Sequence, residues 1–344
     1  MPTQGRCTQS ADTVHQASSV GGGSSRIERE FMEDQAQIID TPVDDRLAPA
    51  SSQASAAVAS EIRSRIVTPE GEGANCGCGG ATGPSSGTAI SYVYAIGHIE
   101  ARFPTLAVEK EFMQASGRTD NSGRTDRQAF HAVLSKPENR YLSRKMCWVL
   151  TVQGLETYIL SPVDSRDFDK LVQAIRPEPT PLDLDVVIGI RGPVASPTLC
   201  NGLMVPIVGF DQIYSFDRDA LLKAIPRPEK TTTKQFEAVA AEVLDRILQM
   251  TDNAGATDDY RALNYLAMRY PAIYSRTAEE FAKDFSLSGV DVRPSPLSGT
   301  RNVDEVVFSF TNRLTDFTEK FSVRVDVTEE FPFLVTKLSP YFDH

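Results

Sequence analysis

The run SYVYAIGHIEARF, residues 91–103, is where the sequence first takes on the alternation of a β-strand. Successive side chains of a strand point to opposite faces, so Tyr94 and Ile96 lie on one face, and Val93 and Ala95 lie on the other. Both faces are largely apolar. This pattern predicts a buried, central strand around which a folded domain is built.

The residues that precede this strand have a different composition. Residues 1–88 contain the linker-like runs Gly21–Ser25 and Ser51–Ser55 and few large apolar side chains. Ordering a backbone costs about 1–2 kcal/mol per residue, which such a composition does not offset. We therefore predict a disordered N-terminal extension. Two apolar patches within it, residues 27–39 and 56–67, are interpreted as transient helices with no partner or as docking peptides.

The first folded domain is predicted to span residues 89–225. After the first strand, hydrophobic periodicity and proline positions indicate alternating helices and strands. The predicted helices are residues 106–115, 127–134, 167–175 and 217–225, and the further strands are residues 146–152, 156–160, 184–190 and 203–210. This order indicates a mixed or antiparallel sheet with flanking helices.

A second region is predicted at residues 232–344, after a proline-containing linker. Thr232 and Gln235 have the spacing of a helix capping box, and an apolar stripe follows them. Helices are predicted at residues 258–270 and 273–285. Strands follow at residues 290–293, 305–311, 321–327 and 332–338. Helices followed by antiparallel strands make the whole chain an α+β protein.

Composition excludes several classes of partner. The 344-residue chain has a formal net charge of -11, which argues against binding to nucleic acid or to an anionic membrane. No signal peptide is apparent, and no segment approaches the length of about 20 apolar residues that spans a bilayer. We therefore expect a cytoplasmic protein whose five cysteines are reduced. The oligomeric state is left open.

Residues that could support catalysis are few. Of four histidines, His98 lies on the first strand and His131 on a helix, and neither has a recognisable catalytic context. His98 is either a general base or a buried histidine that is simply hydrogen-bonded. Gly189–Gly192 follows a strand without a phosphate-binding pattern and is interpreted as a turn. These observations favour a protein that is not an enzyme and leave catalysis open.

Cys76 and Cys78 are the candidate metal ligands. They stand in the run NCGCGG, residues 75–80, close enough together to share one zinc ion. Cys147 and Cys200 would have to supply the second pair, although both lie in apolar surroundings typical of buried cysteines. The same two thiols could instead be a redox pair, accept a modification, or belong to a glycine-rich hinge. No other cofactor is indicated.

Several segments together resemble a known family. The run CGCGG is followed by YVYAIGHI (92–99), by WVLT and TYILSP (148–151 and 157–162), and by GLMVPIV (202–208). RALNY (261–265) and FSVRVDV (321–327) continue the similarity in order. Residues 75–344 resemble the C-terminal domain of unknown function of PatG-type cyanobactin maturation proteins. The chain departs from the family pattern at Pro296–Arg301, where a cysteine pair is often found.

The resemblance implies a place in ribosomal peptide maturation. In such systems the domain accompanies a subtilisin-like protease, which carries the catalytic residues, and this chain resembles only the accompanying domain. We therefore expect a non-catalytic accessory protein that binds a precursor peptide or a partner enzyme, with exposed strand edges in residues 89–225 as places for strand addition. The alternative is a thiolate zinc-binding or redox protein that uses Cys76 and Cys78. In a third hypothesis the CGCGG run is itself a modified substrate.

Overall fold

The computed structural model describes residues 90–117, 125–228, 231–296 and 298–342. They contain eight helices of more than three residues and two β-sheets, so the α+β class predicted from the sequence is confirmed. The predicted disorder of residues 1–88 lies outside the described residues.

The first sheet is a barrel whose strands come from the first part of the chain. They are β1 (Ser91–Arg102), β2 (Cys147–Val152), β3 (Leu155–Pro162), β4 (Asp183–Val194) and β5 (Pro206–Asp217). The barrel closes in the order β1-β2-β3-β5-β4, with β3 and β5 parallel and the other pairs antiparallel. A helix lies between β3 and β4. This is the strand arrangement of an OB-fold barrel.

Closure of the barrel limits one expectation. Strand edges in residues 89–225 were predicted as places for strand addition, but each barrel strand pairs with a neighbour on both sides over part of its length. Paired stretches of a sheet offer no edge to a peptide. The expectation is therefore wrong for these stretches, and it stays a prediction for those that are paired on one side only, such as the start of β3.

The interpretation of Gly189–Gly192 as a turn is also wrong, because β4 runs through these residues. Gly189 lies at an irregularity in the pairing of β4 with β5. A Cβ atom there would lie 2.3 Å from the backbone oxygen of Gly209. A larger residue would not fit here, so the glycine allows β4 and β5 to approach each other closely.

Four helices cover the barrel. They are α1 (Leu106–Ser116), α2 (Asp126–Leu134), α3 (Arg140–Lys145) and α4 (Phe168–Ile175). Thr125 begins α2 with a complete capping box to Gln128. Inward side chains of the strands, such as Trp148 and Phe210, share one core with residues of these helices, such as Leu171. Three of these helices, α1–α3, lie in the segment between β1 and β2, and α4 packs against α2 and α3.

The rest of the chain forms helices packed on an antiparallel sheet. The helices are α5 (Arg218–Ala224), α6 (Thr233–Leu248), α7 (Asp258–Arg269) and α8 (Ala272–Phe281). The strands are β6 (Phe285–Pro294), β7 (Val303–Asn312), β8 (Thr318–Asp326), β9 (Phe333–Leu334) and β10 (Ser339–Tyr341). Their order is β10-β8-β7-β6, and β9 also pairs with β8. The helix predicted to continue to residue 285 ends earlier, because Asp284 has a φ of 66° and Phe285 begins β6.

The barrel and the second sheet share a hydrophobic core. Tyr94 and Ile96, on the outer face of β1, pack in the same cluster as Leu263 of α7 and Val323 of β8. The first half of β1 pairs with β4 and only its second half pairs with β2, which leaves the β2 side of Tyr94 without a strand. Gly255 fills this place, since its backbone oxygen accepts a 2.8 Å hydrogen bond from the Tyr94 amide.

Candidate functional site

A groove of about 410 Å³ lies between the start of α8 and the C-terminal segment of the chain. Its walls come from three separate parts of the sequence. They include Pro226, Tyr270, Arg276, Leu334, Lys337 and Leu338. The lining is mostly apolar with a few charged groups, which is the usual composition of a ligand-binding cleft.

Two hydrogen bonds hold the walls of the groove together. The backbone N–H of Leu338 donates to the Tyr270 hydroxyl oxygen across 2.8 Å. The Ser275 hydroxyl donates to the backbone oxygen of Pro226 across 3.1 Å. Burial raises the pKa of the Tyr270 hydroxyl, so that this group stays neutral at ordinary pH. The shape of the groove is therefore fixed by neutral contacts.

The charged groups of the groove differ in how firmly they are held. The Arg276 guanidinium lies 4.7 Å from the centre of the Phe321 ring and pairs through Nη1 with Glu279 at 2.8 Å and with the buried Glu280 at 3.6 Å. Lys337 is exposed and makes no ion pair with a described residue. Arg276 is therefore held in place by its neighbours, whereas the Lys337 side chain can move toward a ligand.

Three exposed apolar side chains, Phe331, Phe333 and Val335, form an apolar ridge on the segment that also supplies Leu334 to the groove. These side chains are 41%, 45% and 38% exposed, and they alternate with residues that face the protein. The backbone N–H of Val335 donates to the Arg324 oxygen across 2.8 Å, which holds the segment against β8. Exposed apolar side chains grouped in this way are typical of interaction surfaces.

The outer face of β2 and β3, which OB folds commonly use for ligands, is covered in this protein. Val149 and Ile159 are buried there under the loop that joins β4 to β5. A disulfide between Cys147 and Cys200 ties this loop to the start of β2, with a Cα–Cα separation of 5.4 Å. We therefore place the candidate site at the groove and not on this face.

The disulfide corrects the expectation that the cysteines are reduced, since Cys147 and Cys200 are oxidised. A disulfide between them also removes both as the second pair of zinc ligands. Disulfides are uncommon in the cytosol, and the predicted cytoplasmic location stays a prediction. Cys76 and Cys78 lie outside the described residues, so their role in metal binding or redox chemistry stays a prediction too. In the described part of the chain, no cluster of three or more His, Cys, Asp or Glu side chains is arranged to hold a metal ion.

His98 lies beside a buried polar cluster at one end of the barrel. Asp185 accepts hydrogen bonds from the Ser215 hydroxyl at 2.6 Å and from the Ile99 amide at 2.7 Å, and burial raises its pKa to about 6. Burial together with the charge of Arg127 lowers the pKa of His98, and the backbone of Asp183 acts in the opposite direction. Because the histidine does not lie between the serine and the aspartate, the arrangement differs from a nucleophilic triad.

His131 is on a different element, α2, and burial lowers its pKa. Neither histidine is among the causes of the other's shifted pKa. The interpretation of His98 as a hydrogen-bonded structural histidine stays a prediction.

A second ionisable cluster lies where the barrel meets α7, and sequence reasoning missed it. The buried guanidinium of Arg261 donates to the backbone oxygen of Val327 at 2.7 Å and to Asp258 at 3.0 Å, and it stacks on Tyr92. Burial, reinforced by the charge of nearby Asp211, raises the pKa of Glu330 to about 7. The available signal was an arginine, followed by Asn264, among the mostly apolar residues on the buried side of α7.

Fold and site together define the class of protein: an OB-type barrel joined through a common core to a unit of helices and antiparallel strands that carries a groove. Residues 230–341 match the family model described as PatG C-terminal. A solved structure described as "PatG Domain of Unknown Function" aligns with a TM-score of 0.60 and 21% identity, over 73% of this chain and 98% of that chain. At this identity, the second comparison shows a shared fold. Residues 230–341 are therefore a PatG C-terminal-type domain, as the resemblance predicted.

No curated protein matches the chain. Among the described residues, none of the helices combines the length and the apolar character needed to cross a bilayer.

Proposed function

We propose that this protein is a non-catalytic accessory protein of a ribosomal peptide maturation pathway of the cyanobactin type, and that it binds a precursor peptide or a partner enzyme. The PatG C-terminal-type domain supports the pathway. The observation that carries the binding function is the groove, together with the apolar ridge on the chain segment that supplies Leu334 to it. All of the groove except its Pro226 wall lies within residues 230–341, the part that matches the family model.

A folded protein usually covers large apolar side chains that lie close together. Removing apolar surface from water stabilises a protein or a complex by roughly 25 cal/mol for each Å² buried, and an exposed apolar side chain does not make this contribution. Phe331 and Phe333 are large, both are more than two-fifths exposed, and they belong to the segment that supplies Leu334 to the groove. An extended peptide or a loop of an enzyme that covers the ridge and enters the groove would bury this surface.

The test uses the purified full chain, the precursor peptide and the maturation enzyme from the same gene neighbourhood. The ridge variant is F333S/V335S. Its matched control is L314S/F317S, which removes an equally apolar, exposed pair at the turn between β7 and β8. Titration should show binding of one partner by the wild type and the control, and a loss of about tenfold or more in the ridge variant, which corresponds to about 1.4 kcal/mol.

Equal binding by the ridge variant and the control would overturn the location of the site. Failure of both the peptide and the enzyme to bind the wild type would overturn the proposed function.

A further inference from the structure

We propose that the groove recognises one kind of peptide segment, in which apolar side chains flank a carboxylate. The apolar side chains fill the cleft, and the carboxylate lies between Arg276 and Lys337. This inference rests on the proposed function and adds to it the chemistry of the partner.

The size of the groove favours side chains over a whole structural element. Its volume of about 410 Å³ is at the lower end of the range for ligand pockets, about 300–1,000 Å³. Tyr270, Leu334 and Leu338 supply its apolar walls. Such a cleft accommodates a few apolar side chains of a short segment.

The geometry of Arg276 leaves one side of its guanidinium available. Both of its ion pairs, to Glu279 and to Glu280, use Nη1. No described residue hydrogen-bonds its Nε or Nη2. These two donors are parallel, and a carboxylate can accept from both at once. Contact with Phe321 holds the guanidinium plane in position, which lowers the entropy cost of binding.

The surrounding charges select the sign of the ligand. The lining contains two cations, Arg276 and Lys337, against one carboxylate, Glu279. It also contains Ala272, the first residue of α8, and α8 has no side-chain hydrogen bond at its N-cap. The N-terminus of a helix favours a negative charge. These features oppose the net charge of -11 of the whole chain, so the groove is locally suited to an anionic segment.

The test compares three fluorescein-labelled hexapeptide amides on the full chain by fluorescence anisotropy. Each contains two leucines and one phenylalanine around a single central position, which is Glu, Gln or Lys. The Glu peptide should bind at least about tenfold more tightly than the Lys peptide, with the Gln peptide between them, since a charged hydrogen bond is stronger than a neutral one.

Substitutions at the groove then test whether the preference for the Glu peptide over the Lys peptide arises there. K337E should weaken the Glu peptide and strengthen the Lys peptide, whereas K110E, a change of another exposed lysine on α1, should leave both unchanged. R276Q should remove most of the discrimination. Because R276Q also takes a cation from the buried Glu280, K337E is the variant that keeps the test valid if R276Q fails to fold.

Equal binding of the three peptides would overturn this inference and leave the proposed function standing. So would a dimer that K337E dissociates, because a second copy would then occupy the groove. A lack of binding by all three peptides would also overturn it, and the precursor and enzyme titration would then decide the proposed function separately.

Discussion

The side-chain amide of Asn264 donates a 2.8 Å hydrogen bond to the backbone oxygen of Tyr94, which lies in β1 of the barrel. The backbone N–H of Tyr94 in turn donates a hydrogen bond to the backbone oxygen of Gly255. A later part of the chain therefore supplies the hydrogen-bond partners for both backbone groups of Tyr94, the N–H and the C=O. A buried backbone group without a partner costs about as much as a lost hydrogen bond, so the two parts depend on each other.

Gly255→Ala should destabilise the protein strongly. A Cβ atom at Gly255 would lie 2.1 Å from the Tyr94 oxygen, and the residue has a φ of +65°. Overpacking and the left-handed backbone together predict a loss of about 2–5 kcal/mol in the free energy of unfolding, measured by urea denaturation. Gly117→Ala is the matched control, since Gly117 has a φ of +67° and open space around it. Equal losses in the two variants would contradict the close contact.

Asn264 and Asn253 should be energetically coupled. Their side chains exchange hydrogen bonds of 2.8 Å and 3.1 Å, and Asn253 also donates to the Ile247 oxygen. Asn264→Leu should cost about 1–3 kcal/mol because it leaves buried polar groups unpaired. A double-mutant cycle with Asn253→Leu should give a coupling energy of about 0.5–3 kcal/mol. Gln249→Leu, at an exposed amide, should change stability by less than about 0.5 kcal/mol. Strict additivity of the two asparagine variants would speak against the network.

Glu330 should make stability depend on pH. Its pKa is about 7 in the folded protein against 4.5 for a free side chain, so the folded state holds more protons between these values. The free energy of unfolding should therefore fall as the pH rises from 5 to 8. Glu330→Gln should raise the unfolding midpoint at pH 8, and this gain should shrink as the pH falls to 5. Glu138→Gln, at an exposed carboxylate, serves as the control. A constant difference across this pH range would refute the prediction.

The Cys147–Cys200 disulfide should contribute to stability. It joins residues separated by 53 positions, and loss of a native disulfide typically costs about 2–5 kcal/mol. A reducing agent should lower the melting temperature of the wild type and should have no further effect on the C147A/C200A variant. Mass spectrometry of unreduced digests should find the two cysteine peptides linked. Separate peptides with free thiols would disprove the bond.

Local elements were predictable from sequence because their signals are local. The alternation in residues 91–103 predicted β1. The alternation in residues 321–327 predicted β8 from residue 321 onwards, but not its first three residues. The helix end after Phe281 was missed, because Phe281 and Phe285 have helical spacing and Asp284 gives no comparable signal for its positive φ. The division into regions 89–225 and 232–344 stays a prediction.

Pairings between distant residues were not predictable. Closure of the barrel depends on the parallel contact of β3 with β5 and on the antiparallel contact of β1 with β4, which no single segment encodes. The groove is equally non-local, since Pro226, Tyr270 and Lys337 meet only after folding. Lys337 in particular looks like any other surface lysine in the sequence. The disulfide could not be inferred either, because five cysteines allow several pairings.

The contribution of Gly255 and Asn264 to β1 has a consequence during protein synthesis. The ribosome completes the five barrel strands before it makes either residue. Translation proceeds at about 5–20 residues per second. For several seconds, therefore, the amide and carbonyl of Tyr94 lack the partners that Gly255 and Asn264 later provide. In that interval the nascent barrel carries a short open edge, at which another growing chain could pair. Chaperones that bind nascent chains would be most useful to this protein at that moment, and truncation before residue 255 should give aggregation-prone chains.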